Sequence, residues 1–147
     1  MAKFRYRMQN ILNVKEKLED QARNDFALAV AKVNEEEAKL EALIKRKDGY
    51  EAELRELCGR ELDIADIKEA EDAIEIIKYH IQMQKMAVAA ANQKLDVARS
   101  KLTLAIQERK THDKLKEKQF DAFKAEEAAK ESKEIDEFVS FRHTRSE

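Results

Sequence analysis

The stretch IKEAEDAIEIIKYHIQMQKMAVAAANQKLDVARSKLTLAI, residues 67–106, decides the fold. Apolar residues recur in it at alternating steps of three and four, with Gln84 as the exception. The positions of this stripe are Ile67, Ala70, Ile74, Ile77, Ile81, Gln84, Val88, Ala91, Leu95, Ala98, Leu102 and then Ala105 or Ile106. Such spacing is typical of a helix that packs along another helix in a coiled coil. The stretch therefore predicts a long amphipathic helix that needs a helical partner.

The composition of the whole chain favours helix. Its 147 residues are 41% charged and include no Pro and two Gly, so few residues can interrupt a helix. The net charge of −2 identifies no class of partner. The longest apolar run, residues 86–91, is too short to span a bilayer, and the basic N-terminal residues lack the apolar segment of a secretory signal. We expect a soluble protein whose one cysteine, Cys58, forms no internal disulfide.

A first helix is predicted over residues 4–57. Its apolar stripe comprises Phe4, Met8, Ile11, Lys15, Leu18, Ala22, Phe26, Ala29, Val33, Glu36, Leu40, Leu43, Lys47, Tyr50, Leu54 and Leu57. Lys15, Glu36 and Lys47 are polar positions that weaken it. Two successive steps of four, from Leu18 to Phe26, predict a stutter in the heptad pattern.

A turn is predicted over residues 58–65. Gly59 follows the last apolar position of the first helix, and Asp63 or Asp66 can cap a second helix. We expect that second helix over residues 66–140 and a flexible tail over residues 141–147. Together these elements form a single coiled-coil domain, residues 1–147.

A turn at that point folds the two stripes onto each other in antiparallel orientation. The N-terminal end of the first helix then lies opposite residue 118 or so of the second helix, although the chain continues to residue 147. Apolar residues nevertheless return beyond that point, at Phe120, Phe123, Ile135, Phe138, Val139 and Phe141. The predicted fold is all-α: two long helices in an antiparallel coiled-coil hairpin, with the C-terminal helix overhanging. Exposed aromatic residues on the overhang are better explained by a partner than by stability.

The sequence contains no recognisable catalytic constellation. Phosphate-binding loops, Cys-x-x-Cys and His-Glu-x-x-His are absent, and the three histidines, His80, His112 and His143, are far apart. A helical hairpin also lacks the concave pocket that catalysis needs. We predict no enzymatic activity, no cofactor and no metal site.

Both ends of the chain mix cations with apolar and aromatic side chains. Antiparallel packing brings these segments toward the same end of the hairpin. The candidate partner-binding residues are Phe4, Arg5, Tyr6, Arg7, Met8, Ile135, Phe138, Phe141, Arg142 and Arg145. Arginines and aromatics of this kind anchor into acidic or grooved partners. A frayed terminus is the alternative, and nucleic acid is disfavoured because Glu131, Glu134 and their acidic neighbours offset the positive charge.

The chain resembles the flagellar export protein FliJ family over nearly its whole length. Four segments carry the resemblance, and their order and spacing matter more than any one of them. They are FRYRMQNIL at residues 4–12, YEAEL at residues 50–54, ERK to KL within residues 108–115, and KEIDEF at residues 133–138. Relatives often have a longer connection between the helices, whereas the turn here is short.

The resemblance implies a non-enzymatic, cytoplasmic component of the flagellar type III export apparatus, peripheral at the inner membrane. Family members resemble the central stalk of rotary ATPases, so the implied partners are the hexameric export ATPase, an export gate membrane protein and export chaperones. The joined termini would insert into the ATPase ring, and the surface of the second helix would meet the gate. The alternatives are a stalk subunit of another rotary ATPase or virulence-type secretion system, and a basic tip that binds membrane or nucleic acid. Neither nucleic acid nor a small-molecule substrate is expected under the leading interpretation.

Overall fold

Two long helices make up the fold. The computed structural model of the chain describes residues 2–61 and 63–145. Helix α1 spans Gln9–Cys58 and helix α2 spans Ile64–Arg145, and the described residues include no strand. The helices pack against each other. The predicted all-α helical hairpin is confirmed.

The chain divides into two compact units, each of which contains part of both helices. One unit comprises Met1–Asp20 and Thr103–Glu147, and the other comprises Gln21–Leu102. We refer to them as the terminal unit and the tip unit. The prediction of a single domain for residues 1–147 stays a prediction.

The stripe predicted on α2 is the packed face of that helix. Every one of its positions from Ile67 to Ile106 is buried or half-buried, and the most buried are Ile74, Ile77, Ile81 and Ala91. Gln84, the one polar member, donates a hydrogen bond from Nε2 to the backbone carbonyl of Glu36 at 2.9 Å and another to its carboxylate at 2.5 Å. The polar position of α2 is therefore matched by a polar position of α1.

The stripe predicted on α1 is correct from Ala22 onward and wrong at two earlier positions. Ile11 and Leu18 are exposed, and the adjacent residues Leu12 and Glu19 are buried in their place. With this correction the packed positions alternate between steps of three and four without interruption from Met8 to Leu57, so the predicted stutter is absent. At the second position the buried residue is a glutamate, which Arg109 on α2 stabilises, so an apolar pattern does not identify it.

Helix α1 begins five residues later than predicted. Residues 2–6 are not helical, and the backbone N–H of Gln9 donates to the carbonyl of Tyr6 at 3.1 Å in the turn that leads into the helix. Burial alternates along residues 4–7, the segment that leads into α1: Phe4 is half-buried and Tyr6 is buried, whereas Arg5 and Arg7 are exposed. Period-two alternation fits extended backbone, and this explains why the segment does not continue the helical stripe.

The connection between the helices is shorter than the predicted 58–65. Gly59 N–H donates to the carbonyl of Glu56 at 3.1 Å, without the positive φ of a left-handed helix cap. Asp63 caps α2, because its Oδ1 accepts a hydrogen bond from the N–H of Ala65 at 3.1 Å. Leu62, also part of the predicted turn, lies outside the described residues.

Helix α2 extends beyond the α1 residues that it packs against. Residues 128–145 are all helical and all exposed, which confirms the predicted overhang. The helix also continues through residues 141–145, which we expected in a flexible tail, while residues 146–147 of that tail lie outside the described part. Neither helix of the described part contains a stretch long and apolar enough to cross a membrane.

Candidate partner-binding surfaces

The segment that precedes α1 packs on α2 within the terminal unit. The ring of Phe4 lies 5.2 Å from that of Phe120 and 5.5 Å from that of Phe123, between ring centroids. Tyr6 is only 7% exposed. Three of the apolar candidates at this end, Phe4, Tyr6 and the half-buried Met8, thus contribute to packing within the chain. The exposed candidates that remain are the cations Arg5 and Arg7.

A polar section of the helix interface follows this aromatic cluster. Lys15 Nζ lies 2.9 Å from Glu108 Oε2, and Arg109 donates from Nε to Glu19 at 2.5 Å and from Nη1 to Asp113 at 2.7 Å. The hydrogen bonds to Glu19 and then to Asp113 raise the pKa of Arg109 above its ordinary value. Glu108 and Arg109, which follow the apolar stripe of α2, thus contact α1 through ion pairs.

Two buried polar atoms in the terminal unit lack a hydrogen-bond partner within the described part. They are the hydroxyl of Tyr6 and Nδ1 of His112. Each buried polar atom without a partner costs stability. These two atoms are therefore positions where the packing of the terminal unit is less than optimal for stability.

The overhang carries the most exposed aromatic surface of the terminal unit. Ile135, Phe138, Val139 and Phe141 are each between 56% and 62% exposed. The Arg145 guanidinium lies 5.6 Å from the centroid of the Phe141 ring, and Arg142 is exposed on the same part of the helix. Arginine and phenylalanine side chains are thus presented together on a helix that has no other helix beside it in the described part.

The two predicted end surfaces are separate along α2. Phe4 contacts α2 at Phe120 and Phe123, whereas Phe138 follows Phe123 by about 15 residues, or about 22 Å of helix. The ten candidate residues therefore divide into a packed N-terminal group and an exposed C-terminal group. Their role in partner binding stays a prediction.

A third surface, on α2 in the tip unit, was missed from the sequence. Ile76, Tyr79, Met83 and Met86 are 46% to 65% exposed and are spaced by three, four and three residues. We call these four residues the outer stripe. The signal was present in the sequence, because residues 79–93 contain one charged side chain, Lys85, in a chain that is 41% charged. Methionine side chains adapt their shape to a partner surface, which suits a binding face.

The described residues offer little for chemistry. They contain no group of three or more His, Cys, Asp or Glu side chains that could hold a metal ion. A concavity of about 500 Å³ near the turn is lined by acidic and apolar residues and one arginine, namely Tyr50, Glu53, Glu56, Leu57, Arg60, Asp66, Glu69, Ala70 and Ala73. Cys58 is exposed near this concavity without being part of its lining.

Comparisons with known proteins agree with this description. The model of a family described as the flagellar FliJ protein matches residues 4–147. Among solved structures, a chain described as a YscO homolog, CT670, from Chlamydia trachomatis has a TM-score of 0.69 and 22% sequence identity, over 97% of this chain and 96% of that chain. At that identity the likeness shows the fold alone. No curated protein sequence matches the chain.

Proposed function

Because the chain belongs to the flagellar FliJ protein family, we propose that it acts as a central-stalk-like adaptor of the export ATPase ring. The family consists of coiled-coil components of the type III export apparatus and is a non-enzymatic, structural one. ATP hydrolysis then belongs to the ring, and this chain couples it to the rest of the apparatus. The apparatus places the protein at the cytoplasmic face of the inner membrane.

The overhang is the proposed contact with the ATPase ring. The single observation that carries this proposal is that residues 128–145 form a wholly exposed helix that carries the large apolar side chains of Ile135, Phe138, Val139 and Phe141. Aromatic and arginine side chains are the usual energetic centres of protein interfaces. Arg142 and Arg145 supply the charge, and the exposed Arg5 and Arg7 add a second basic row in the same unit.

The outer stripe is the proposed contact with the export gate membrane protein. It is the apolar exposed face of α2 in the tip unit, and none of its residues belongs to the overhang. Its low charge favours a partner that covers it with apolar surface. Export chaperones are the third proposed class of partner, without an assigned surface.

The experiment that tests the ATPase contact measures binding of the full-length chain to the export ATPase encoded by the same genome. The variant Phe138→Ala with Phe141→Ala is expected to weaken binding by about tenfold or more. Leu28→Ala is the matched control, because Leu28 is 70% exposed on α1 in the tip unit. Equal affinities for wild type and the double variant would overturn the proposed surface.

The same measurement separates the proposal from nonspecific electrostatic binding. Contacts through Phe138 and Phe141 change little between low and moderate salt, whereas a basic tip that binds any polyanion loses affinity steeply. The expected result is saturable binding to the ATPase at about 0.15 M salt and none to a DNA duplex. Equal binding to both, lost together as salt rises, would favour the membrane or nucleic-acid alternative.

A separate variant tests the proposed contact between the outer stripe and the export gate protein. Met83→Glu with Met86→Glu places two charges on the outer stripe, and we expect it to weaken binding to the cytosolic domain of the gate protein while leaving ATPase binding unchanged. Leu28→Glu controls for an added charge at another exposed apolar position. Loss of gate binding in the control as well would refute the assignment of the outer stripe.

A further inference from the structure

The overhang has a stripe that is complementary to itself. Positions spaced by three and four along the exposed helix are, in order, Ala128, Glu131, Ile135, Phe138, Arg142 and Arg145. The stripe is therefore acidic before its apolar centre and basic after it. A two-fold symmetric interface requires this property, since the same surface must fit its own copy.

We propose that residues 128–145 of two copies of the chain pair as antiparallel helices. Antiparallel alignment places Ile135 against Phe138 of the second copy, and the two-fold axis repeats the contact. The same alignment places Glu131 against Arg142 of the second copy, again twice. The Ile135 and Phe138 side chains of the two copies become a small core with an ion pair at each end.

Charge distribution selects this orientation over the parallel one. Residues 126–137 contain six carboxylates and two lysines, whereas residues 142–145 contain two arginines, one histidine and no carboxylate. Parallel pairing places Glu131 against Glu131 and Arg142 against Arg142, which is repulsive at both positions. Antiparallel pairing converts the same four charges into attraction, which is how charges set orientation in coiled coils.

The size of the interface sets its strength. A helix of 18 residues is about 27 Å long, and one such pair buries an area at the low end for specific interfaces, about 1,200 Å² or less. The dimer is accordingly weak and forms at high micromolar concentration. It covers Phe138 when no other partner does, and a tighter partner displaces it. The pairing itself does not depend on the proposed binding of an ATPase.

The test is the mass of the full-length chain by analytical ultracentrifugation, from about 1 to 500 µM and with reductant present to keep Cys58 from forming disulfides. Wild type is expected to rise from the 17.1 kDa of one chain toward twice that mass. Ile135→Ala with Phe138→Ala is expected to remain monomeric, with unchanged circular dichroism from the hairpin. A wild type that stays monomeric throughout, or a double variant that still dimerises, would overturn the proposal.

Charge reversals test the orientation. Glu131→Arg and Arg142→Glu should each weaken association about tenfold or more, and the two changes together should restore it to within about threefold of wild type. Glu137→Arg, which reverses a charge off the stripe, is the matched control and should have little effect. In a parallel pair each single reversal only replaces one like-charged contact by another, so single variants that associate as well as wild type would refute the antiparallel arrangement.

Discussion

Arg109 on α2 donates hydrogen bonds to both carboxylate oxygens of Glu19 on α1, at 2.5 Å from Nε and 3.3 Å from Nη2. Glu19 is only 6% exposed, so a carboxylate occupies a position of the helix interface that an apolar residue normally fills. Asp113 completes the arrangement by accepting from the same guanidinium. The helix interface of the terminal unit thus includes a buried charged contact.

Removal of Arg109 alone should destabilise the protein. Arg109→Ala removes two hydrogen bonds to the buried carboxylate of Glu19, and we expect the melting temperature to fall by several degrees in thermal unfolding followed by circular dichroism. Glu19→Leu with Arg109→Leu removes both charges and should melt at or above the wild-type temperature. A double variant as unstable as Arg109→Ala would show that the ion pair itself stabilises the fold and that apolar residues at these two positions do not replace it.

Leu12 and Ile11 form a matched pair that tests the register of α1. Leu12 is 2% exposed and Ile11 is 43% exposed. Leu12→Ala should therefore lower the free energy of unfolding by about 2 to 5 kcal/mol, and Ile11→Ala should lower it by less than about 1 kcal/mol. Urea unfolding of both variants measures the difference. Equal effects would favour the register in which Ile11 is a packed position.

Glu36 should make stability depend on pH under acidic conditions. The hydrogen bond from Lys32, followed by that from Gln84, lowers the pKa of Glu36 from 4.5 to about 2. A carboxyl whose pKa is lower in the folded state contributes its full stabilisation above pH 4.5 and loses it as pH falls toward 2. The stability difference between wild type and Glu36→Gln should shrink over that range, as measured by urea unfolding at several pH values. A difference that stays constant with pH would contradict the lowered pKa.

Asp63 and Asp66 were both candidates for the cap of α2, and the structure assigns the role to Asp63. Asp63→Ala should cost about 0.5 to 2 kcal/mol of unfolding free energy, because the N–H of Ala65 loses its acceptor. Asp66→Ala is the control and should cost less, since the side chain of that residue has only the helix dipole to favour it. The reverse order of the two effects in urea unfolding would assign the cap to Asp66.

The fold was predictable because apolar spacing is a local property of the sequence. The stripe of α2 was correct at every position, including Gln84, because steps of three and four leave little choice. The stripe of α1 failed at Leu18 because the residue that is buried, Glu19, is stabilised by an arginine 90 residues away. No local pattern reports such a pairing.

The candidate surfaces were less predictable than the fold. The exposure of the aromatic residues in the overhang was predictable, because the number of residues after the turn exceeds the number before it. The packing of Phe4 on Phe120 was not predictable, because residues 2–6 are not helical and do not continue the stripe of α1. The outer stripe was not predicted, because it has the same spacing as the packed face of α2 and spacing alone does not distinguish a buried row from an exposed one.

The central claim is that the overhang is the part of the chain that the export ATPase covers. Hydrogen exchange of the full-length chain, alone and with saturating ATPase hexamer, tests it most directly. In the free protein, amides of residues 128–145 should exchange much faster than those of the packed part of α2, because no second helix covers them. Addition of the ATPase should then slow exchange across residues 135–145. If the complex forms but residues 135–145 exchange as fast as in the free chain, and the protected amides lie elsewhere, the proposed contact is wrong.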